Sequence, residues 1–277
     1  MAIAAASLIY LFARTIPPKV LRSETNEHTE SSDLTTDSML IFAKRQLSPE
    51  QVVRINTLEN SISRGDVKDQ KLKIYHQLAH FWNDTARIFE PYAWYEAEAA
   101  RLENSEKSLT FAAHLFLENL QADNNPVRKK WKALQAKDLF ERSLILNPVN
   151  DSAKIGLGAC YLFGGISPNP MEGIMKIREV VEKDTTNVYA QLMLAKGSMI
   201  SGQYDKAIFR METVNRLQPG NVEAILMLAD VNERMNKKNA AVQWYQKSLQ
   251  FIERQDVRQE IELRITELSG KTSSKKK

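Results

Sequence analysis

Residues 188–221 read VYAQLMLAKGSMISGQYDKAIFRMETVNRLQPGN, and residues 222–251 read VEAILMLADVNERMNKKNAAVQWYQKSLQF. Laid over one another at an offset of 34, they agree at the positions that matter for packing. Ala190 falls on Ala224, Leu194-Ala195 on Leu228-Ala229, Ala207 on Ala241, and Met211 on Tyr245. Upstream, DSAKIGLGACYLFGG (151–165) places Ala153, Leu157-Gly158 and Tyr161 in the same frame. Its second half, GIMKIREVVEKDTTN, arrives three residues late, after SPNPMEG. Self-similarity at a fixed period near 34 residues marks a stack of identical supersecondary units.

Each unit shows apolar residues at helical spacing, broken by a turn and resumed. No period-2 alternation of useful length occurs, so the fold class is all-α. Small residues such as Gly158, Ala195 and Ala229 let the two helices of a unit approach closely. Larger ones such as Tyr161, Tyr204 and Tyr245 fill the space between units. One hairpin cannot bury its own apolar face, so hairpins stack.

The pattern resembles the tetratricopeptide repeat, through Leu-Gly or Leu-Ala followed by an aromatic, SGQYDKAI (201–208), NPVN (147–150) and QPGN (218–221). The match is strong over 151–251 and looser over 70–148. There, WKALQAKDLFERSLILNP (131–148) reads as a second helix, with SEKSLTFAAHLFLENL (105–120) as its partner. QADNNPVRKK between them reads as a loop about seven residues longer than the family norm. The resemblance implies a right-handed solenoid of about five helix-hairpin units over 67–270. Residues 255–268, QDVRQEIELRITEL, carry a stripe of Val257, Ile261 and Ile265 and suit a C-terminal capping helix stopped by Gly270.

The resemblance also implies a concave face lined by the second, fifth, ninth and twelfth places of each unit's first helix. These are Ser152, Ile155, Ala159 and Leu162; Tyr189, Leu192, Lys196 and Met199; and Glu223, Leu226, Asp230 and Glu233. Family members that clamp the C-terminal carboxylates of chaperones hold Lys and Asn at the fifth and ninth places. That clamp is not carried over to Ile155 and Ala159, Leu192 and Lys196, or Leu226 and Asp230. An apolar groove turning acidic toward its C-terminal end suits an amphipathic helix or an extended basic segment. Some of these apolar residues are equally explained by packing on a neighbouring unit. Asp230→Lys with Glu233→Lys is expected to weaken partner capture and leave the fold intact.

YHQLAHFW (75–82) poses a separate question. His76 and His80 share one helix face, at the histidine spacing of HExxH zinc proteases, with Gln77 where that motif has its glutamate. Leu78-Ala79 aligns with the repeat's Leu-Gly position, and Trp82 with Tyr161. His76 and His80 then face the groove as polar candidates for partner contact. Two histidines without a third ligand or a carboxylate base make neither a metal set nor a catalytic one. A metal-dependent enzyme using them is the remote alternative; metal analysis would decide it.

Other chemistry lacks residues. Gly156-Leu157-Gly158 sits inside a repeat helix and reads as close packing. The single Cys160 reads as a small core residue and excludes an internal disulfide framework. No GxSxG elbow presents a nucleophile. No enzymatic activity, cofactor, metal or small-molecule substrate is expected. The tail KTSSKKK (271–277) carries four lysines, the whole of the net charge of +4, so the basic balance belongs to the tail, where a nucleic-acid-binding domain is expected to carry its charge on a folded face.

Outside the repeats, residues 2–13, AIAAASLIYLFA, are uncharged and apolar or small. As a helix they would span roughly 18 Å, short of the ~30 Å hydrocarbon core. They suit a signal-like segment, or the remnant of an anchor, over 1–14. Residues 15–36 read as a disordered linker, and 37–66 as a helical pair whose second helix opens at Ser48-Pro49-Glu50. The combined expectation is a protein–protein interaction scaffold tethered to a membrane through residues 2–13. It is placed at the periplasmic face of a bacterial inner membrane, and the arrangement looks like anchored tetratricopeptide proteins of bacterial envelopes. The alternative is a soluble cytoplasmic co-chaperone or assembly factor.

Overall fold

A computed structural model describes residues 34–62 and 67–270. The apolar start, nearly all of the 15–36 linker, the Gly65-Asp66 break and the basic tail lie outside the described residues. Those described form thirteen α-helices and one π-helical turn, with no strand among them. In chain order the helices are α1 (Thr36–Lys44), α2 (Pro49–Ile62), α3 (Lys68–His80), α4 (Phe89–Glu103), α5 (Glu106–Ala122), α6 (Pro126–Leu146) and α7 (Asp151–Phe163). There follow α8 (Met171–Lys183), α9 (Val188–Ile200), α10 (Tyr204–Leu217), α11 (Val222–Arg234), α12 (Lys238–Ser248) and α13 (Gln255–Leu268). The chain divides into two bodies at Gly173–Ile174, within α8.

The repeat is built by capping residues that recur with it. Asn150, Asn187 and Asn221 precede α7, α9 and α11, and each side-chain oxygen accepts from the backbone N–H three residues on, at 2.9, 3.0 and 3.0 Å. Each has ψ near 98°, the extended backbone of an N-cap. Between paired helices a single left-handed residue reverses the chain: Gly165 (φ +63°), Gly202 (φ +71°) and Asn236 (φ +60°) occupy one repeat position. Glycine adopts this conformation without penalty, and asparagine is the common substitute.

In the C-terminal body, α9 packs on α10, α10 on α11, and α11 on α12. The aligned residues Ala190, Leu194, Ala195, Ala207, Met211, Ala224, Leu228, Ala229, Ala241 and Tyr245 are all buried. Helix α13 closes this body, packing Val257, Ile261 and Ile265 against Ala229, Ala241 and Tyr245. Gly270 follows its end with φ +67°.

In the N-terminal body, α3 pairs with α4 and α5 with α6, while α7 packs on both α5 and α6. That pairing in file is an all-α solenoid arrangement of the tetratricopeptide type. Close approach depends on glycine: a Cβ on Gly156 would run into the Phe140 ring, and one on Gly173 into the Gly158 carbonyl. The Gly156-Leu157-Gly158 run therefore serves packing. Cys160 is fully buried, and burial pushes its thiol well above the ordinary range. Of the three tyrosines expected between units, only Tyr245 is fully buried; Tyr161 and Tyr204 are half-buried.

The long loop expected over 121–130 is mostly helix. Helix α5 runs to Ala122, and α6 begins at Pro126, four residues before the loop was expected to end. Asn125 caps α6 through Val127 and Arg128 N–H groups, both at 3.0 Å, with proline at the first position. The start is held by Asp123, which accepts from Arg128 (2.9 and 2.8 Å) and Lys132 (2.7 Å). Lys132 is 2% exposed and also meets Glu90 at 2.9 Å. The extra residues thus lengthen two helices.

Helices α1 and α2 belong to this body. Thr36 Oγ1 accepts from the Trp131 indole at 3.3 Å. Glu59 accepts from the Tyr95 hydroxyl at 2.7 Å and pairs with Lys44. Ser48 and Gln51 cap α2 reciprocally, Gln51 N–H to Ser48 Oγ at 3.3 Å and Ser48 N–H to Gln51 Oε1 at 2.9 Å.

Candidate partner-binding face

The places predicted to line the concave face do not all face outward. Ile155, Ala159, Leu192 and Asp230 are 1, 0, 6 and 3% exposed. Leu192 and Asp230, expected to meet a partner, are covered within the chain. Tyr189, Met199 and Leu226 are half-buried, and Ser152 and Glu223 are exposed. The sequence alone could not separate these, because one helix face serves both the groove and the contact with the next unit.

Two contacts show how successive first helices meet. His114 Nε2, at the ninth place of α5, lies 2.9 Å from Ser152 Oγ, at the second place of α7. In the other body, Lys196 Nζ at the ninth place of α9 lies 2.7 Å from Glu223 Oε1 at the second place of α11. The same repeat positions carry both links. His114 also stands edge-on to Phe140, with ring centroids 5.1 Å apart, and burial lowers its pKa.

The acidic end of the predicted groove is turned inward. Asp230 pairs with Arg234 at 2.8 Å. Burial pushes its carboxyl above the usual range, and Arg234 offsets this only in part. Glu233 accepts from Arg264 of α13 at 3.0 Å and from the Tyr245 hydroxyl at 3.2 Å. Glu233 holds the capping helix and Asp230 is buried against Arg234 of its own helix, so lysine at both positions would not leave the fold intact as expected. A buried carboxylate replaced by a cation beside a partner arginine brings like charges together.

His76 and His80 each have their own carboxylate. His76 Nδ1 lies 3.5 Å from Glu96 across α4, and His80 Nδ1 lies 3.3 Å from Asp84 on the following turn. The His80 side chain is 74% exposed and that of His76 46%. Among the described residues no group of three or more His, Cys, Asp or Glu could hold a metal ion.

Helical spacing through Trp82 predicts a regular helix, and the structure instead has a π-helical turn, Phe81–Ala86, after α3. Phe81 and Trp82 are buried with Ile55, Leu78, Ala79 and Tyr95. The wide turn carries Asp84 and Thr85 to a cleft of about 460 Å³ facing α2, lined also by Arg54, Thr57, Gln77 and His80. Arg54, Thr57 and Leu58 share one face of α2 by spacing alone. That this face meets Gln77 and His80 depends on tertiary packing.

No protein-family model matches the chain, and no curated protein matches it. Solved structures with a similar course include a MamA protein, at 15% identity over 65% of this chain and 91% of that chain, with a TM-score of 0.44. They also include MamA from Desulfovibrio magneticus RS-1, at 20% identity over 68% and 96%, with a TM-score of 0.44. YrrB, described as a TPR protein with an unusual peptide-binding site, is similar at 15% identity over 74% and 97%, with a TM-score of 0.43.

Proposed function

We propose that this chain is a protein–protein interaction scaffold that takes a peptide segment of its partner along the first helices of its repeat units. The observation that supports the reading most is the repeated link from ninth to second place, His114 to Ser152 and Lys196 to Glu223. It sets consecutive first helices side by side, which gives each body a row of half-exposed apolar and polar residues. In the C-terminal body that row keeps Tyr189, Met199 and Leu226 within reach of a partner. In the N-terminal body, His76 and His80 on α3 keep 46% and 74% of their side-chain surface open. Helical solenoids present such extended surfaces for binding. The reading includes a membrane tether through residues 2–13. Among the described residues no helix is long and apolar enough to cross a membrane, and 2–13 lie outside them.

The test is site-specific photocrosslinking in cells, with the reactive residue at Tyr189, Met199 or Leu226. Phe209, 68% exposed on α10, serves as the control position. Discrete products from the first-helix positions and none from Phe209 are expected. Equal labelling from both would remove the reading. Alkaline extraction of membranes, with and without residues 2–13, tests the tether: the intact chain should stay in the pellet and the shortened one should not.

A further inference from the structure

The cleft between α2 and the π-helical turn sets several polar side chains around an apolar floor. Two faces oppose one another: Arg54, Thr57 and Leu58 on one side, and Gln77, His80, Phe81, Asp84 and Thr85 on the other. Leu58 and Phe81 supply its apolar part, and Phe81 is 2% exposed. The Thr57 hydroxyl already donates to the Val53 carbonyl at 2.8 Å. Asp84 is engaged with Asn83 at 2.8 Å and with His80 at 3.3 Å.

Arg54 is different. Its guanidinium lies 5.6 Å from the centroid of the Phe81 ring. Among the described residues no carboxylate lies within ion-pair distance of it. Stacking on a ring uses a face of the guanidinium plane and leaves the in-plane N–H fork open for a planar bidentate acceptor. Asp84, the one carboxylate lining the opening, is engaged with His80 and Asn83, so the donor left open there is the Arg54 fork. The backbone is also irregular here: six residues run as π-helix and Arg87 ends them at φ +56°. Such turns are uncommon and frequent at functional sites.

We propose that this cleft binds a carboxylate of the partner peptide, with Arg54 as the bidentate donor and Gln77 and Thr85 beside it. The inference rests on the scaffold reading above and names the chemistry beside His80, which that reading counts among its partner contacts. The carboxylate comes from an acidic side chain or from a chain terminus, and two probes separate these sources.

The experiment titrates the isotope-labelled full chain with three peptides and follows the Arg54 side-chain Nε–H resonance. N-acetyl hexaglutamate amide offers side-chain carboxylates only, hexaglycine with a free C-terminus offers a terminal one only, and N-acetyl hexaglutamine amide offers none. A saturable shift with either carboxylate probe and none with hexaglutamine is expected. Arg54→Gln should weaken the responding probe about tenfold, while Arg45→Gln, which removes an exposed charge outside the cleft, should not. Arg54 is exposed, so its variant should fold, and an unchanged circular dichroism melt checks this. No shift at Arg54, an equal shift with hexaglutamine, or unchanged affinity in Arg54→Gln would overturn the proposal. Crosslinks from Tyr189, Met199 and Leu226 that persist in such a result would leave the scaffold reading standing alone.

Discussion

At the scale of single residues, the backbone approach inside a unit sets the sharpest constraints. Gly156 sits where any Cβ would enter the Phe140 ring, so Gly156→Ala should cost about 2 kcal/mol by overpacking. Urea unfolding monitored by circular dichroism would read that loss; a neutral result would mean the two helices can part without penalty. Gly202 is a contrasting case, with φ +71° and open space around it. Gly202→Ala should cost about 1 kcal/mol through backbone conformation alone. Asn236 at the equivalent position tolerates φ +60°, and Asn236→Ala should cost a similar amount. The sequence showed the first of these roles, because Gly-x-Gly inside a helical pattern has few other uses. It did not show Arg54, whose spacing with Thr57 and Leu58 is that of any exposed helix face.

Elements are held by buried charge more than composition suggests. Asp123, 7% exposed, joins the end of α5 to α6 through Arg128 and Lys132. Asp123→Ala would leave the buried Lys132 ammonium with Glu90 as its one ion-pair partner, beside the Asn119 amide oxygen, and should cost about 3 kcal/mol in thermal or urea unfolding. In the other body, Glu233 ties α11 to the capping helix through Arg264. Glu233→Gln should raise amide hydrogen exchange across α13 while leaving α9 and α10 protected, since cap and interior open as separate units. Uniform deprotection would refute that division. The capping helix itself was legible, because its apolar stripe at Val257, Ile261 and Ile265 is a local pattern. Its lock was not: Glu233 and Arg264 are far apart in sequence, and only the packed structure reveals that the acid faces inward.

Across the whole molecule, the two bodies carry buried acids of opposite behaviour. Burial alone would raise Asp123, but hydrogen bonds from Arg128 and Lys132 hold it well below the usual carboxylate range. Its stabilisation is present above the unfolded value, about 3.9, and is lost as pH falls toward the folded one. His114, lowered by burial, acts in the same direction from about pH 6.5 downward, because the unfolded chain takes up that proton first. Asp230 is raised, so protonating it relieves a cost. Hydrogen exchange at pH 4 against pH 7, corrected for intrinsic rate, should therefore show protection lost first over residues 106–163 and retained longer over 222–248. The reverse order would contradict the assigned electrostatics. The sequence by itself determined the repeat, its period, the hairpin as its unit, the capping helix at its end, and the small residues that let helices approach. Each of these depends on neighbours within one unit, and helical periodicity records such neighbours directly. Tertiary structure alone decided which concave positions stay open, why Leu192 and Asp230 are covered, how Asp123 lengthens α5 and α6, and where Arg54 meets the π-helical turn. The physical reason is that one face of a first helix can pack or bind, and the choice depends on side chains brought to it from other units.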